Sequence, residues 1–166
     1  MIALLLPAAL LVLPGCQKDV KEPDVAASGV EALAKGGMSA SLKAVRNATA
    51  RYHSTALAQS AGYMPNEHCV PNMGYHWANP NLIDAEFNPV QPEVMLYAKG
   101  PGGNLRLVAV EYVVLNQGQQ RPSFEGHLFD IGGTPVPAPH WSMHVWLYEE
   151  NPSGMFVPFN PNVSCQ

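Results

Sequence analysis

The residues of this chain that could carry chemistry are one acidic side chain inside an apolar run and several histidines near aromatic residues. Glu111 interrupts the run from Leu105 to Leu115, which is apolar on both faces and therefore predicts a central β-strand. A buried, ionised and unpaired carboxylate is energetically costly, so Glu111 must be protonated, hydrogen-bonded, ion-paired or bound to a metal. On an ideal strand it shares one face with Leu105, Leu107, Ala109, Val113 and Leu115.

Three histidines are the candidate partners of this carboxylate. His76 lies between Tyr75 and Trp77, and His140 and His144 bracket Trp-Ser-Met at the start of an aromatic, β-branched segment. Neutral imidazoles together with a carboxylate are typical ligands of Zn, Mn, Fe, Ni or Cu. Residues four apart on a regular strand lie about 13 Å from each other, so His140 and His144 share an ion only if the chain is helical or bulged there. The predicted metal ligands are therefore His76, Glu111 and His144, with His140 as the weaker candidate.

The ligand types resemble those of the cupin barrels, which bind a metal through three His and one Glu. The His-x-His cluster of that family is missing here, so the resemblance implies only a metal inside a small barrel, not an activity. Two alternatives stay open. Arg, Tyr or backbone donors could satisfy Glu111 while the histidines belong to an aromatic core, or the aromatic side chains could line a small-molecule pocket.

Other catalytic motifs are absent from the sequence. It contains no Gly-x-Ser-x-Gly, no Walker loop and no His-Glu-x-x-His. Asp84, Glu86 and Glu93 lie in a Pro- and Asn-rich segment and are interpreted as solvated acids, with a hard cation such as Ca²⁺ as the alternative. Nucleophilic catalysis is left without an obvious nucleophile.

The elements that must position these residues are one helix and a few strands. An amphipathic helix with one buried side is predicted over 39–61, because residues recur at spacings of three and four: Leu42, Val45, Thr49, Tyr52 and Ala56. Ser39 caps this helix and Gly62 ends it. Strands are expected at 93–99 and 104–115, joined by a Gly-Pro-Gly-Gly turn, and at 141–148. The predicted fold class is α+β, an antiparallel sheet or partly closed β-barrel with one N-terminal amphipathic helix packed on it.

Composition limits the class of protein. The chain has 166 residues, of which 47% are hydrophobic and 13% charged, and its net charge is −4. The apolar fraction argues against long disorder, and the negative charge argues against a nucleic-acid partner. The length fits one folded domain, expected at 39–166.

The first residues are typical of an export signal. Residues 2–13 are apolar, too short a run to span a bilayer. The sequence Leu13-Pro14-Gly15-Cys16 resembles the lipobox of bacterial lipoproteins. This resemblance implies a signal peptide at 1–15, lipidation of Cys16, a tether at 16–38 and a lipid anchor in the bacterial cell envelope. Gln17 stands where many inner-membrane lipoproteins carry Asp, which favours the outer membrane where one exists.

Export to an oxidising compartment would also determine the state of the remaining cysteines. With Cys16 lipidated, Cys69 and Cys165 are left, and two thiols in an oxidising compartment most simply pair with each other. This disulfide would close a loop of about 100 residues and contribute about 4 to 5 kcal/mol in the chain-entropy model.

Several segments between residues 44 and 166 resemble exported bacterial proteins of unassigned role, and this resemblance carries no activity. They include Gly74-Tyr-His-Trp-Ala-Asn, His144-Val-Trp-Leu and Asn160-Pro-Asn-Val-Ser-Cys. The function expected from the sequence is that of an envelope lipoprotein that binds a transition-metal ion or a small ligand. The alternatives are a metal-dependent envelope enzyme that uses the same residues, and a structural or interaction lipoprotein with no site.

Overall fold

The structure is a computed structural model, and it describes residues 37–133 and 136–166. The predicted signal peptide, Cys16 and nearly all of the predicted tether lie outside these residues. The last tether position, Met38, is described, and its side chain packs against the main hydrophobic cluster. Among the described residues, no helix is long and apolar enough to cross a membrane.

The helical segment precedes the sheet and consists of two helices joined by a turn. Helix α1 spans Ala40–Thr49, a 3₁₀ turn spans Ala50–His53, and helix α2 spans Thr55–Ser60. The Ser39 hydroxyl accepts a hydrogen bond from the Leu42 backbone N–H, as expected of a helix cap.

The single helix predicted over 39–61 is therefore interrupted. Ser54 has an extended backbone, and its hydroxyl accepts the Leu57 N–H, which starts a new helix. The interruption changes the buried side: Leu42, Val45 and Thr49 are buried as expected, but Ala58 replaces Ala56 as the buried residue of the second helix.

Eight strands follow the helices in the part of the chain that the structure describes. They are β1 Cys69–Val70, β2 Gly74–Ala78, β3 Val94–Lys99, β4 Leu105–Leu115, β5 Ser123–Phe124, β6 His127–Leu128, β7 Asp130–Ile131 and β8 His140–Val145. Six form one antiparallel sheet in the order β1-β2-β3-β4-β8-β7, which curls into a half-barrel, and β5 pairs with β6 separately. The α+β class and the hairpin of β3 and β4 are confirmed.

The two faces of the large sheet have different partners. One face carries the main hydrophobic cluster, in which α1 packs against strand residues such as Tyr97 and Val110. The other face carries a smaller cluster, which includes Leu96, Ala109 and Val113. We call the first the helix face and the second the cavity face, because a cavity of about 860 Å³ lies against it.

A β-bulge in β4 divides this strand into two parts. Leu96 pairs with Ala109 and Tyr97 with Leu107, so Val108 is an extra residue with no partner in β3. Its carbonyl instead accepts the backbone N–H groups of Tyr148 and Glu149.

The bulge overturns part of the face assignment made from ideal alternation. Glu111 shares its face with Ala109 and Val113 as expected, but Leu105 and Leu107 belong with the cluster on the helix face. The extra residue shifts the alternation, so the residues before it point to the opposite side of the sheet.

A disulfide between Cys69 and Cys165 joins β1 to the C-terminal tail. The predicted pairing is thus present. It connects the first strand of the sheet with the penultimate residue of the chain, and it fixes the start of β1 one strand away from His76 on β2.

Candidate metal centre

Three strands place His76, Glu111 and His144 on the cavity face. Glu111 on β4 lies directly opposite His144 on β8, and His76 on β2 pairs with Leu96 on β3. Each of the three alternates along its strand with residues of the helix face, such as Trp77 beside His76 and Val145 beside His144. Since side chains alternate across a strand, the three polar groups point to the same side of the sheet.

The three side chains come together around one point. The Glu111 Oε2 atom lies 3.7 Å from His76 Nε2 and 3.9 Å from His144 Nε2. One ligand atom from each of the three residues lies within 4.8 Å of the other two. Atoms that share one ion at about 2 Å each lie roughly 3 to 4 Å apart. The group could therefore hold a metal ion.

The nitrogen of His144 that faces Glu111 is buried and has no hydrogen-bond partner among the described residues. The distance of 3.9 Å to the Glu111 oxygen is too long for a hydrogen bond. Buried polar atoms nearly always have a partner, because an unpaired one costs about 1 to 3 kcal/mol. This nitrogen is thus a group that a bound ion would satisfy.

Burial determines the protonation of the group. It lowers the pKa of His144 to about 4, although the charge of Asp130 acts in the opposite direction. It also lowers the pKa of His76, which the Glu111 charge raises in turn. Both imidazoles are consequently neutral at neutral pH, as a metal ligand must be.

The carboxyl group of Glu111 responds to the same environment. Burial raises its pKa, while His76 and His140 lower it. A proton held on this group would compete with a metal ion for the same oxygen, so metal binding displaces the proton and is favoured as the pH rises.

The group opens into a cavity of about 860 Å³ on the cavity face. The side chains of His76 and Glu111 are 19% and 14% exposed, whereas that of His144 is 6% exposed. Solvent and small solutes therefore reach the group from the cavity, and the protein covers it from the sheet side.

The structure does not bring His140 into the group. This residue lines the same cavity, but its Nδ1 atom is 2.8 Å from the carbonyl oxygen of Ala138. A carbonyl only accepts, so Nδ1 carries the proton. The ring lies so close to Gly132 that a Cβ atom there would overlap it. His140 and His144 lie at separate positions along the regular strand β8, as expected for residues four apart on a strand.

Glu93 is buried rather than solvated, which corrects the expectation for the acids of the Pro- and Asn-rich segment. It is 2% exposed, and its Oε2 accepts the backbone N–H of Val113. Strand β3 begins at Val94, opposite Glu111, so β4 extends beyond it and this N–H has no strand partner there. The side chain of Glu93 supplies the missing acceptor. Asp84 and Glu86 are exposed.

Two polar residues beside the group were missed by sequence reasoning. Asp130 on β7 and Ser142 on β8 form a cross-strand pair and both line the cavity. Ser142 could have been found, because it alternates with His140 and His144 on one strand. Asp130 could not, because its strand has two residues and no alternating pattern.

No protein-family model, curated protein or solved structure matches this chain. The geometry of the group and the cavity around it therefore carry the functional argument by themselves.

Proposed function

We propose that this protein binds a transition-metal ion through His76, Glu111 and His144, as an exported and lipid-anchored protein of the bacterial cell envelope. The observation that carries the metal site is the buried, unpartnered Nε2 of His144, aimed at a carboxylate oxygen that a second imidazole also faces. A sheet that needed only a stable core would place an apolar side chain at such a position, because unpaired polar groups destabilise it.

The donor set favours Zn, Mn, Fe, Ni or Cu. Two imidazole nitrogens and one carboxylate oxygen are the protein ligands of several Zn enzymes and of the two-His, one-carboxylate Fe(II) sites. Ca²⁺ and Mg²⁺ prefer sites built from oxygen ligands, and this group supplies one carboxylate.

The experiment is a metal analysis of the purified protein. Residues 17–166 are produced in an oxidising compartment, stripped with a chelator and titrated with Zn²⁺. We expect one equivalent of Zn²⁺ to bind and to raise the unfolding temperature, because an ion that binds only the folded state stabilises it. Absence of stoichiometric binding of Zn²⁺ and of each of the other four metals would support a structural or interaction protein instead.

Three variants locate the bound ion. Glu111→Gln and His144→Ala should each weaken Zn²⁺ binding at least tenfold, because the loss of one ligand of three leaves a poorer site. The matched control is His127→Ala, an exposed histidine outside the cavity, which should bind Zn²⁺ as the parent does. His140→Ala should also retain Zn²⁺, since its side chain lies outside the group.

A metal-dependent envelope enzyme is the second candidate. The observation in its favour is that three protein ligands face a solvent-accessible cavity, and catalytic Zn sites use three protein ligands plus one open position. The Zn²⁺-loaded protein is assayed for hydrolysis of p-nitrophenyl acetate, with Glu111→Gln as the control. Turnover lost in the variant supports an enzyme, and binding without turnover of this ester supports the binding function.

The lipid anchor is a separate part of the proposal, supported by the lipobox-like Leu13-Pro14-Gly15-Cys16. The full chain expressed in a bacterium with a lipoprotein pathway should fractionate with membranes and incorporate labelled palmitate. Cys16→Ser should abolish the labelling and release the protein. Labelling that persists in the variant would contradict the assignment of Cys16.

A further inference from the structure

The wall of the cavity beyond the three candidate ligands is mainly aliphatic. Ile83, Val94, Val113 and Val136 line it, together with the Ala78 methyl group. The volume of about 860 Å³ lies within the range of roughly 300 to 1,000 Å³ that binding sites for small organic molecules occupy. A metal ion fills a small part of this space, so the rest is available to a ligand with an apolar body.

The apolar wall continues to the mouth of the cavity. Ile131 and Phe159 both line the cavity, yet they are 82% and 54% exposed. Large apolar side chains held in water at the rim of a cavity are typical of binding sites for apolar partners. A molecule that enters by this route therefore meets apolar surface from the rim inward.

The three candidate ligands do not by themselves balance the charge of a divalent ion. A divalent ion with two neutral imidazoles and one carboxylate leaves one net positive charge among apolar side chains. Burying an uncompensated charge is costly, and a monoanion at the open coordination position removes that cost. Asp130 also lines the cavity, but it is exposed and lies outside the group of three ligands, so it leaves the open coordination position free. Its charge would repel a second negative charge on the ligand.

We infer that the cavity binds a small aliphatic monocarboxylate, whose carboxylate completes the coordination of the ion and whose hydrocarbon chain lies along the aliphatic wall. This inference rests on the proposed metal site. It follows from charge balance at the ion, from the lining of the cavity and from its exposed apolar mouth.

The test uses four probes with the Co²⁺-loaded protein, because the visible spectrum of Co²⁺ responds to a change of ligand. Octanoate should change the spectrum and bind at least tenfold more tightly than acetate, since each methylene group that is buried against the aliphatic wall adds to the affinity. 1-Octanol, which lacks the charge, should bind at least tenfold more weakly than octanoate. Suberate, which carries a second carboxylate, should also bind at least tenfold more weakly than octanoate. Removal of Co²⁺ should weaken octanoate binding at least tenfold.

Two variants test the aliphatic wall and the mouth. Ile83→Trp reduces the cavity and should weaken octanoate binding at least tenfold with unchanged Co²⁺ content and unchanged acetate affinity. Phe159→Ala removes an exposed side chain at the mouth and should weaken octanoate binding about threefold, even if Ile83→Trp fails to fold. The control is Leu128→Trp, an exposed apolar residue that does not line the cavity, with no expected effect.

The possible failures are distinguishable. A protein that binds no metal contradicts the proposed function. A protein that binds Co²⁺ but takes octanoate no more tightly than acetate, or binds octanoate equally well without Co²⁺, overturns this inference and leaves the metal site in place.

Discussion

Glu111 combines a cost to the fold with a role in the proposed metal site. Its carboxyl group is nearly buried, and burial raises its pKa. Its two imidazole neighbours lie beyond hydrogen-bond distance. Such a residue contributes little to the stability of the metal-free protein, and natural proteins keep residues of this kind where function requires them.

Glu111→Leu should therefore stabilise the metal-free protein. We expect the free energy of unfolding to rise by roughly 1 to 3 kcal/mol, within the range found when buried charged groups are replaced by apolar residues of similar volume. Added Zn²⁺ should no longer raise the unfolding temperature of this variant. Urea denaturation of both proteins in a chelator measures the first effect. A loss of stability in the variant would show that the carboxylate is a structural partner of the core.

Glu93 is a second buried acid with a different role. Burial raises its pKa from 4.5 to about 8, although its hydrogen bond from the Val113 N–H lowers it. The folded protein therefore keeps this proton at pH 7, while the unfolded chain releases it above about pH 4.5. The folded state binds more protons in this range, so stability falls as the pH rises.

We expect the free energy of unfolding to decrease by roughly 3 kcal/mol between pH 5 and pH 8 because of Glu93, given 1.36 kcal/mol per pKa unit. Glu93→Gln keeps an acceptor for Val113 and should remove this part of the pH dependence. Chemical denaturation at several pH values measures it. Glu86→Gln, an exposed acid of the same segment, is the control. An unchanged slope in Glu93→Gln would contradict the assignment.

At the scale of elements, the strands that could be predicted from the sequence are those with an alternating or continuous pattern of apolar residues. The hairpin of β3 and β4 and the strand of His144 were expected, and so was the position of Glu111 on a buried face. Strand β2, which carries His76, was expected only as part of an ordered loop or a short extended segment, because it is short and lies between Pro- and Asn-rich turns.

The features that sequence reasoning missed are those that depend on pairing between distant strands. The bulge at Val108 results from the register of β3 against β4, and no local pattern marks it. The approach of His76 to Glu111 likewise depends on β2 and β4 lying on either side of β3. The candidate ligands could therefore be proposed from their types, but their convergence could not be derived.

Gly74 connects the geometry of β2 to the site. Its φ is +94°, and a Cβ atom would overlap the carbonyl oxygen of Tyr97 on β3. Only glycine allows the two strands to approach here, two residues before His76. Gly118 has almost the same φ, +92°, but nothing lies near its Cβ position, so it is a matched control.

Gly74→Ala should destabilise the protein by about 3 kcal/mol or more, because backbone strain adds to a clash with the backbone of β3. It should also weaken Zn²⁺ binding at least tenfold, since His76 moves with β2. Gly118→Ala should cost about 1 kcal/mol through strain alone and leave Zn²⁺ binding unchanged. Thermal unfolding and Zn²⁺ titration check both. Equal effects of the two substitutions would contradict this account of β2.

At the scale of the whole molecule, the two faces of the sheet differ in what they contribute to the fold and to the candidate site. The helix face is covered by α1 and holds most of the large buried side chains, whereas the cavity face holds a smaller cluster and the candidate metal centre. Most of the hydrophobic core thus lies on the helix face, whereas the candidate metal centre lies on the cavity face. The disulfide ties the first strand to the C-terminal tail across this arrangement.

Cys69→Ser should lower the free energy of unfolding by about 2 to 5 kcal/mol, because the open chain regains the entropy that the long loop had lost. Cys165→Ser and the double variant should lose the same amount, since all three remove one bond. Denaturation without reductant measures the change. A double variant clearly less stable than either single one would show that the cysteines contribute independently.

The most direct test of the metal centre is the anomalous scattering of a crystal of the Zn²⁺-loaded protein, recorded at the zinc absorption edge. The account predicts one strong peak on the cavity face, about 2 Å from His76 Nε2, His144 Nε2 and a carboxylate oxygen of Glu111. A peak at other residues, such as the exposed acids Asp84 and Glu86, or no peak at full Zn²⁺ loading, would contradict it.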